Sequence, residues 1–101
     1  MAVLLCQENM IITKKIWPEY FEDVASGKKK FELRLADFKA RVGDTLILKE
    51  WDPQTQTYTG RSLNTHITYV LKTKNLPFWS KQDIDNHGFQ ILQIEPLAHS
   101  A

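Results

Sequence analysis

A helix stop, a cluster of lysines and an alternating apolar run follow one another within residues 27–34, which read Gly-Lys-Lys-Lys-Phe-Glu-Leu-Arg. Glycine readily adopts the left-handed conformation that commonly ends a helix, so Gly27 separates a helix before it from a different element after it. Along an extended strand, successive side chains point to opposite faces. The segment after Gly27 is therefore predicted to be a strand with one apolar face and one charged face.

This motif strand, Lys30–Leu35, divides its side chains between those two faces. Three apolar side chains are expected to pack on a core: Phe31, Leu33 and Leu35. Three charged side chains are expected to face a common cleft or solvent: Lys30, Glu32 and Arg34. An arginine offers a planar fork of donors and a lysine a mobile point charge, so such a face can bind an anionic or hydrogen-bonding ligand.

Length and composition indicate one small globular domain. A chain of 101 residues can bury one core, whereas two domains of half that length would each lack one. Its content of 43% hydrophobic and 25% charged residues excludes the disordered, collagen-like and membrane classes. Cys6 has no cysteine partner, and the apolar run Ala2–Cys6 is too short for a signal-peptide core or a membrane span. We therefore expect a cytoplasmic protein without membrane contact.

Positive charge is concentrated around the motif strand. The net charge of +1 does not by itself indicate nucleic-acid binding, because domains built for nucleic-acid backbones are usually more basic. From Lys28 to Arg41, however, six basic residues stand against two acidic ones, which gives this segment a net charge of +4. The location of the charge, rather than its sum, points to an anionic partner.

Local patterns predict two short helices and several strands. Pro18 suits the first position of a helix, and an apolar stripe at spacings of three and four carries that helix to Ser26. A second helix is predicted from Lys81 to Asn86, with Ser80 as its N-cap. Besides the motif strand, β-branched or alternating runs predict strands at Ile11–Ile16, Thr45–Trp51, Arg61–Leu71 and Phe89–Ile94. Without regular βαβ spacing, these elements favour a mainly β, barrel-like α+β domain.

The spacing Gly27-x-Lys29-x-x-Glu32-x-Arg34, followed by Val42-Gly43-Asp44, resembles the signature of the ASCH (activating-signal-cointegrator homology) family. The order of helix, motif, Gly-Asp turn and strands extends this resemblance over residues 11–95. It implies a PUA-like mixed β-barrel of five to six strands with two short helices. The chain would form a single domain over residues 1–101, in which residues 1–10 are an extra strand or a loose leader.

The resemblance also implies that the motif lines a cleft for RNA or a nucleotide-like ligand. The expected ligand-binding residues are Lys28, Lys29, Glu32, Arg34 and, as an exposed aromatic cap on the cleft, Trp79. Some ASCH relatives are small amidohydrolases on acetylated cytidine nucleosides that use the motif lysine, a threonine nucleophile and a later glutamate. Here Glu32 occupies the threonine position. The alternative function is thus a hydrolase on a modified nucleoside or RNA, with Lys29 orienting the substrate and Glu32 acting as a base.

Other interpretations of these residues stay open. Glu32 and a nearby lysine can form an ordinary surface ion pair, which contributes only about 0 to 1 kcal/mol. A second group consists of aromatic residues that either pack in the core or stack on exposed bases: Trp51, Tyr58, Tyr69, Phe78 and Trp79. An exposed apolar patch near Trp79 would favour a protein-interaction domain. The three histidines are far apart in sequence, so neither a metal site nor a cofactor is expected.

Overall fold

The computed structural model describes residues 9–74, 76–93 and 96–97. The chain divides into two compact units, Met1–Leu71 and Lys72–Ala101. The elements are β1 (Ile11–Ile16), α1 (Pro18–Ala25), β2 (Thr45–Asp52), β3 (Thr57–His66) and α2 (Lys81–His87). Within the described ranges, no helix is both long and apolar enough to cross a membrane.

The first unit is an open three-stranded sheet in the order β1-β2-β3. β1 pairs with β2 in parallel, so a long connection that contains α1 joins them. β2 and β3 pair antiparallel across a tight turn. In that turn the Asp52 carboxylate accepts a hydrogen bond of 2.9 Å from the amide of Gln54. β3 begins four residues earlier and ends five residues earlier than the predicted strand Arg61–Leu71.

The core lies between α1 and one face of this sheet. Its buried apolar members among the described residues are Ile16, Phe21, Leu46 and Leu48. Leu46 and Leu48 lie two residues apart on β2, so the pleat points both toward the helix. Pro18 occupies the first turn of α1, and Gly27, with φ 81°, follows the C-cap at Ser26. The local signals that predicted this helix are therefore confirmed.

A buried carboxylate holds the turn that precedes β2. Asp44, only 1% exposed, accepts hydrogen bonds of 2.9 Å from the amides of Met10 and Arg41. The bond from Met10, helped by that from Arg41, keeps the pKa of Asp44 below its ordinary value despite the opposing effect of burial. The preceding residue, Gly43, has φ 97°, a conformation that favours glycine. The Gly-Asp turn thus joins the start of β1 to the start of β2.

The α+β class is confirmed, but the closed barrel is wrong for the described residues. The sheet is open, with β1 and β3 at its edges, and the described ranges contain three strands where five to six were expected. Lys30–Leu35 has no regular secondary structure, and it contacts β1 through the Arg34 side chain on the Lys15 carbonyl and not through a backbone ladder. Most of residues 1–10, expected to be an extra strand or a leader, lie outside the described residues.

The second unit contains α2. As predicted, Ser80 is its N-cap and accepts a hydrogen bond of 3.1 Å from the amide of Asp83. Gly88, with φ 67°, ends the helix. The predicted final strand, Phe89–Ile94, has no strand assignment over residues 89–93, and its last residue lies outside the described part of the chain.

Candidate functional site

Three of the predicted site residues converge as an ion-paired group, here called the charged triad: Lys29, Glu32 and Arg34. The two oxygens of Glu32 accept from Lys29 Nζ at 3.0 Å and from Arg34 Nε at 2.8 Å. All three side chains are partly buried, at 19%, 18% and 28% exposure. The triad carries a net charge of +1, because one carboxylate neutralises one of its two cations.

The triad is anchored to both neighbouring elements. The Lys29 amide donates to the Asp23 carbonyl of α1 at 2.9 Å, and its ammonium lies 5.5 Å from the Tyr20 ring centroid. Arg34 Nη2 donates to the main-chain carbonyl of Lys15 on β1. The motif segment therefore joins the helix to the edge of the sheet.

Apart from Lys30, which is exposed as predicted, the exposure of the motif segment is the reverse of what its alternation predicted. Phe31, Leu33 and Leu35, expected in the core, are 37%, 69% and 81% exposed. Glu32 and Arg34, expected on the open face, are the less exposed side chains because they bond to each other and to β1. The apolar-face assignment is thus wrong.

Lys28 and Trp79 were also predicted to bind ligand. Lys28 is exposed just beyond the end of α1. Trp79 belongs to the second unit, where its ring lies 5.2 Å from that of Phe78 and 5.8 Å from that of Phe89. Beside Trp79, an open hollow of about 300 Å³ is lined by α2 and the residues that follow it. A role for Trp79 as the cap of the motif cleft stays a prediction.

The sheet face opposite the core brings two lysines side by side. Lys15 on β1 and Lys49 on β2 are partners in the strand register, and both are exposed. Among the described residues, no carboxylate forms an ion pair with either ammonium group. Like charges directly opposite each other on neighbouring strands destabilise a sheet. Such a pair is well suited to an anion that neutralises both charges.

An aromatic pair lies next to these lysines. Trp51 and Tyr58 are partners in the β2–β3 register, and their rings meet edge to face with centroids 5.0 Å apart. The Lys15 ammonium lies over the Trp51 ring, 3.6 Å from its centroid, and 5.7 Å from that of Tyr58. Lys49 Nζ is 5.9 Å from the Tyr58 centroid. We call these four residues the cation–aromatic face.

On the core side, a buried glutamate organises the hairpin. Glu50 is 3% exposed and accepts from Thr59 at 2.5 Å and from Arg61 at 2.9 and 2.7 Å. Both partners reach it because the register shifts between residues 49 and 51, with Gly60 (φ 101°) between them on β3. Arg61 also bonds to Glu22 on α1 at 2.5 Å and lies over the Phe21 ring. Through the bond to Glu50, this network holds Thr59, the residue that follows Tyr58, in position.

Sequence reasoning missed Glu50. The signal was available, because Glu50 follows Leu46 and Leu48 at the two-residue spacing of one strand face. A buried glutamate that continues an apolar face needs a partner for its charge, and the half-exposed side chain of Arg61 across the hairpin provides it. The register shift that brings them together has no comparable local signal.

Glu50 should make the fold sensitive to acid. Hydrogen bonds from Arg61 and Thr59 lower the pKa of Glu50 from 4.5 to about 2. A carboxylate with a depressed folded-state pKa stabilises the fold above its unfolded pKa and loses that contribution as pH falls toward the folded value. We expect stability to fall between about pH 4.5 and pH 2, and to fall less in Glu50→Gln. Urea unfolding at a series of pH values measures this difference.

An exposed glutamate provides the control for this titration. Glu19→Gln removes a carboxylate from the first turn of α1 and reports the general effect of one lost negative charge. If Glu50→Gln and wild type lose stability equally on acidification, the ion pair with Arg61 does not contribute to folding.

No group of three or more His, Cys, Asp or Glu residues in the described ranges is placed to hold a metal ion. Cys6 and His99 lie outside those ranges.

Comparison with known proteins corrects the family assignment. A family model described as "Domain of unknown function (DUF3850)" matches residues 13–94. An "Uncharacterized 12.9 kDa protein in GpA 3'region" from Escherichia phage P2 is 43% identical over 56 residues, which are 55% of this chain and 50% of the phage protein. The chain thus spans about half the length of this curated relative. The ASCH assignment is wrong, because the matching family is a distinct one. On the match over residues 13–94, the chain belongs to the DUF3850 family.

Proposed function

We propose that this protein binds a phosphorylated nucleotide, either free or within single-stranded RNA, on the cation–aromatic face. The observation that carries the proposal is the pairing of Lys15 with Lys49 across neighbouring strands, without a carboxylate partner in the described residues and next to two aromatic rings. Two adjacent ammonium groups suit a phosphate, and adjacent rings suit a base. One nucleotide supplies both groups.

The aromatic pair explains a preference for unpaired bases. Stacking on an aromatic side chain contributes about 1 to 3 kcal/mol per base and needs an accessible base face. Tyr58 is 52% exposed, and Trp51 is its partly buried neighbour. In a duplex the base faces are covered by neighbouring pairs, so we expect single strands to bind better than double strands.

The charged triad supports this site from its edge. Arg34 bonds to the carbonyl of Lys15, which places the guanidinium beside the strand that carries one of the two ligand-binding ammonium groups. Its positive charge adds to the field that attracts phosphate. Glu32 neutralises part of that charge, so the triad acts here as a support of the site and not as its centre.

The hydrolase alternative has less support. A general base must be within reach of the proton that it removes. Both oxygens of Glu32 accept hydrogen bonds from the two triad cations. No observation in the described residues favours this alternative over binding.

Binding should weaken with salt according to the number of phosphates that the protein neutralises. Lys15 and Lys49 share one phosphate in this proposal, and the nearby Arg34 can neutralise a second one in RNA. Each phosphate neutralised on a single strand changes the slope of log affinity against log salt by about −0.7, so for RNA we expect a slope near −1.4 and roughly 7-fold weaker binding between about 50 and 200 mM salt. Fluorescence anisotropy with a labelled single-stranded RNA, with a duplex as comparison, measures this slope. Absence of binding at the lowest salt, to RNA and mononucleotide alike, would remove the proposal.

The variant Glu32→Gln separates binding from hydrolysis. It removes the carboxylate that neutralises one of the two triad cations, so the net positive charge beside the cation–aromatic face rises by one unit. If the protein binds RNA on this face, we expect the RNA affinity of the variant to be unchanged or higher. A hydrolase that uses Glu32 as its base would lose turnover in the same variant. Product formation by wild type from a modified nucleoside or RNA, abolished in Glu32→Gln, would favour the hydrolase.

A further inference from the structure

A lysine covers the ring on which a base would stack. The Lys15 ammonium is 3.6 Å from the Trp51 centroid, whereas Lys49 lies beside Tyr58 at 5.9 Å. An ammonium over an indole is held by the negative charge on the ring face. A base that stacks on that face must first displace the lysine.

We infer that Lys15 is a specificity-determining residue that admits phosphorylated nucleotides and disfavours nucleosides. This inference rests on the proposed function of the same face. A nucleoside that stacks on Trp51 breaks the contact between the Lys15 ammonium and the ring, and it carries no anion that the ammonium could bind instead. A nucleotide offers a phosphate close to the base, and the displaced ammonium can join Lys49 around it.

The backbone allows the side chain of Lys15 to move alone. Lys15 belongs to the β1–β2 ladder, and its carbonyl accepts the hydrogen bond from Arg34. Its main chain is thus held from both sides, while the long side chain has several rotatable bonds. The Lys15 ammonium can therefore leave the Trp51 ring and contact a phosphate without any change in the sheet.

The neighbouring residue provides a matched control. Lys14 Nζ lies over the Phe38 ring, 3.9 Å from its centroid, which is the same type of contact as that between Lys15 and Trp51. Lys14 points to the opposite face of the strand from Lys15. Replacing either lysine by glutamine removes one positive charge and one contact with an aromatic ring, but only Lys15→Gln uncovers Trp51.

The test compares adenosine with adenosine 5′-monophosphate by isothermal titration. We expect wild type to bind the monophosphate about tenfold more tightly than the nucleoside, because the attraction of two nearby ammonium groups to the phosphate contributes about this factor in water. In Lys15→Gln the monophosphate should bind more weakly while adenosine binds equally well or better, so the ratio falls. Lys14→Gln should keep the wild-type ratio. A merely structural role for Lys15 would weaken both ligands together.

Two outcomes would overturn the inference and leave the proposed function standing. One is equal affinity of wild type for adenosine and its monophosphate, together with salt-dependent RNA binding. The other is an equal loss for both ligands in Lys15→Gln. Failure of wild type to bind either ligand or single-stranded RNA would instead overturn the proposed function and this inference with it.

Discussion

Replacing Trp51 by alanine should weaken binding to single-stranded RNA about 5- to 160-fold, because loss of one stacked base costs about 1 to 3 kcal/mol. Trp51 is the ring that Lys15 covers and the partner of Tyr58 in the sheet register. Its loss removes the larger stacking surface and keeps both positive charges, although the Lys15 ammonium loses its contact with the ring. Fluorescence anisotropy at fixed salt measures the change, and circular dichroism checks that the fold is kept.

The second unit provides a comparison for this variant. Trp79 is 50% exposed and also contacts aromatic rings, so Trp79→Ala reports the effect of losing a tryptophan outside the cation–aromatic face. We expect it to leave RNA affinity close to that of wild type. An equal loss in both variants would support the predicted cap role of Trp79. Wild-type affinity in Trp51→Ala would exclude stacking on this face.

Leu48→Ala should lower the free energy of unfolding by about 2 to 5 kcal/mol, the range measured for buried leucines in other proteins. Leu48 has no exposed surface and is one of the four buried apolar residues in the core that the structure describes. Small domains have total stabilities of only about 5 to 15 kcal/mol, so this loss is a large share. Urea denaturation of wild type and variant measures it.

Leu33 is the control for this measurement. It is 69% exposed in the motif segment, so Leu33→Ala removes the same atoms from a solvated site and should change stability by less than about 0.5 kcal/mol. The alternation of the motif predicted the opposite, with Leu33 in the core. A loss in Leu33→Ala as large as that in Leu48→Ala would show that this segment packs as the alternation predicted.

The elements that were predicted correctly have signals within their own residues. Pro18 and Gly27 bound α1, and the Ser80 N-cap begins α2. The prediction of the motif strand was wrong because an alternating pattern indicates an extended chain but does not identify a strand with which its backbone can pair. In the described residues, the backbone of that segment joins no strand ladder, and it contacts β1 through the Arg34 side chain. Closure into a barrel failed for the same reason, since it depends on pairings between distant segments.

The candidate site was predictable in part. The motif spacing indicated that Lys29, Glu32 and Arg34 act together, and the structure brings them into hydrogen-bond contact. Charge patterning did not indicate that Lys15 and Lys49 are neighbours, because their pairing depends on a register between strands separated by α1 and a long connection. Trp51 and Tyr58 were recognised as candidates for stacking, but their distance from these lysines is set by tertiary structure.

The connectivity of the sheet has a kinetic consequence. Trp51 and Tyr58 are joined by a short turn, whereas the parallel pairing of β1 with β2 must close a much longer loop. Closing a longer loop costs more chain entropy, so contacts between distant residues form later in folding. The hairpin with its two rings is therefore expected to form before β1 pairs with β2 and places Lys15 next to the rings. Pulse-labelled amide exchange during refolding would record that order as earlier protection of β3 than of β1.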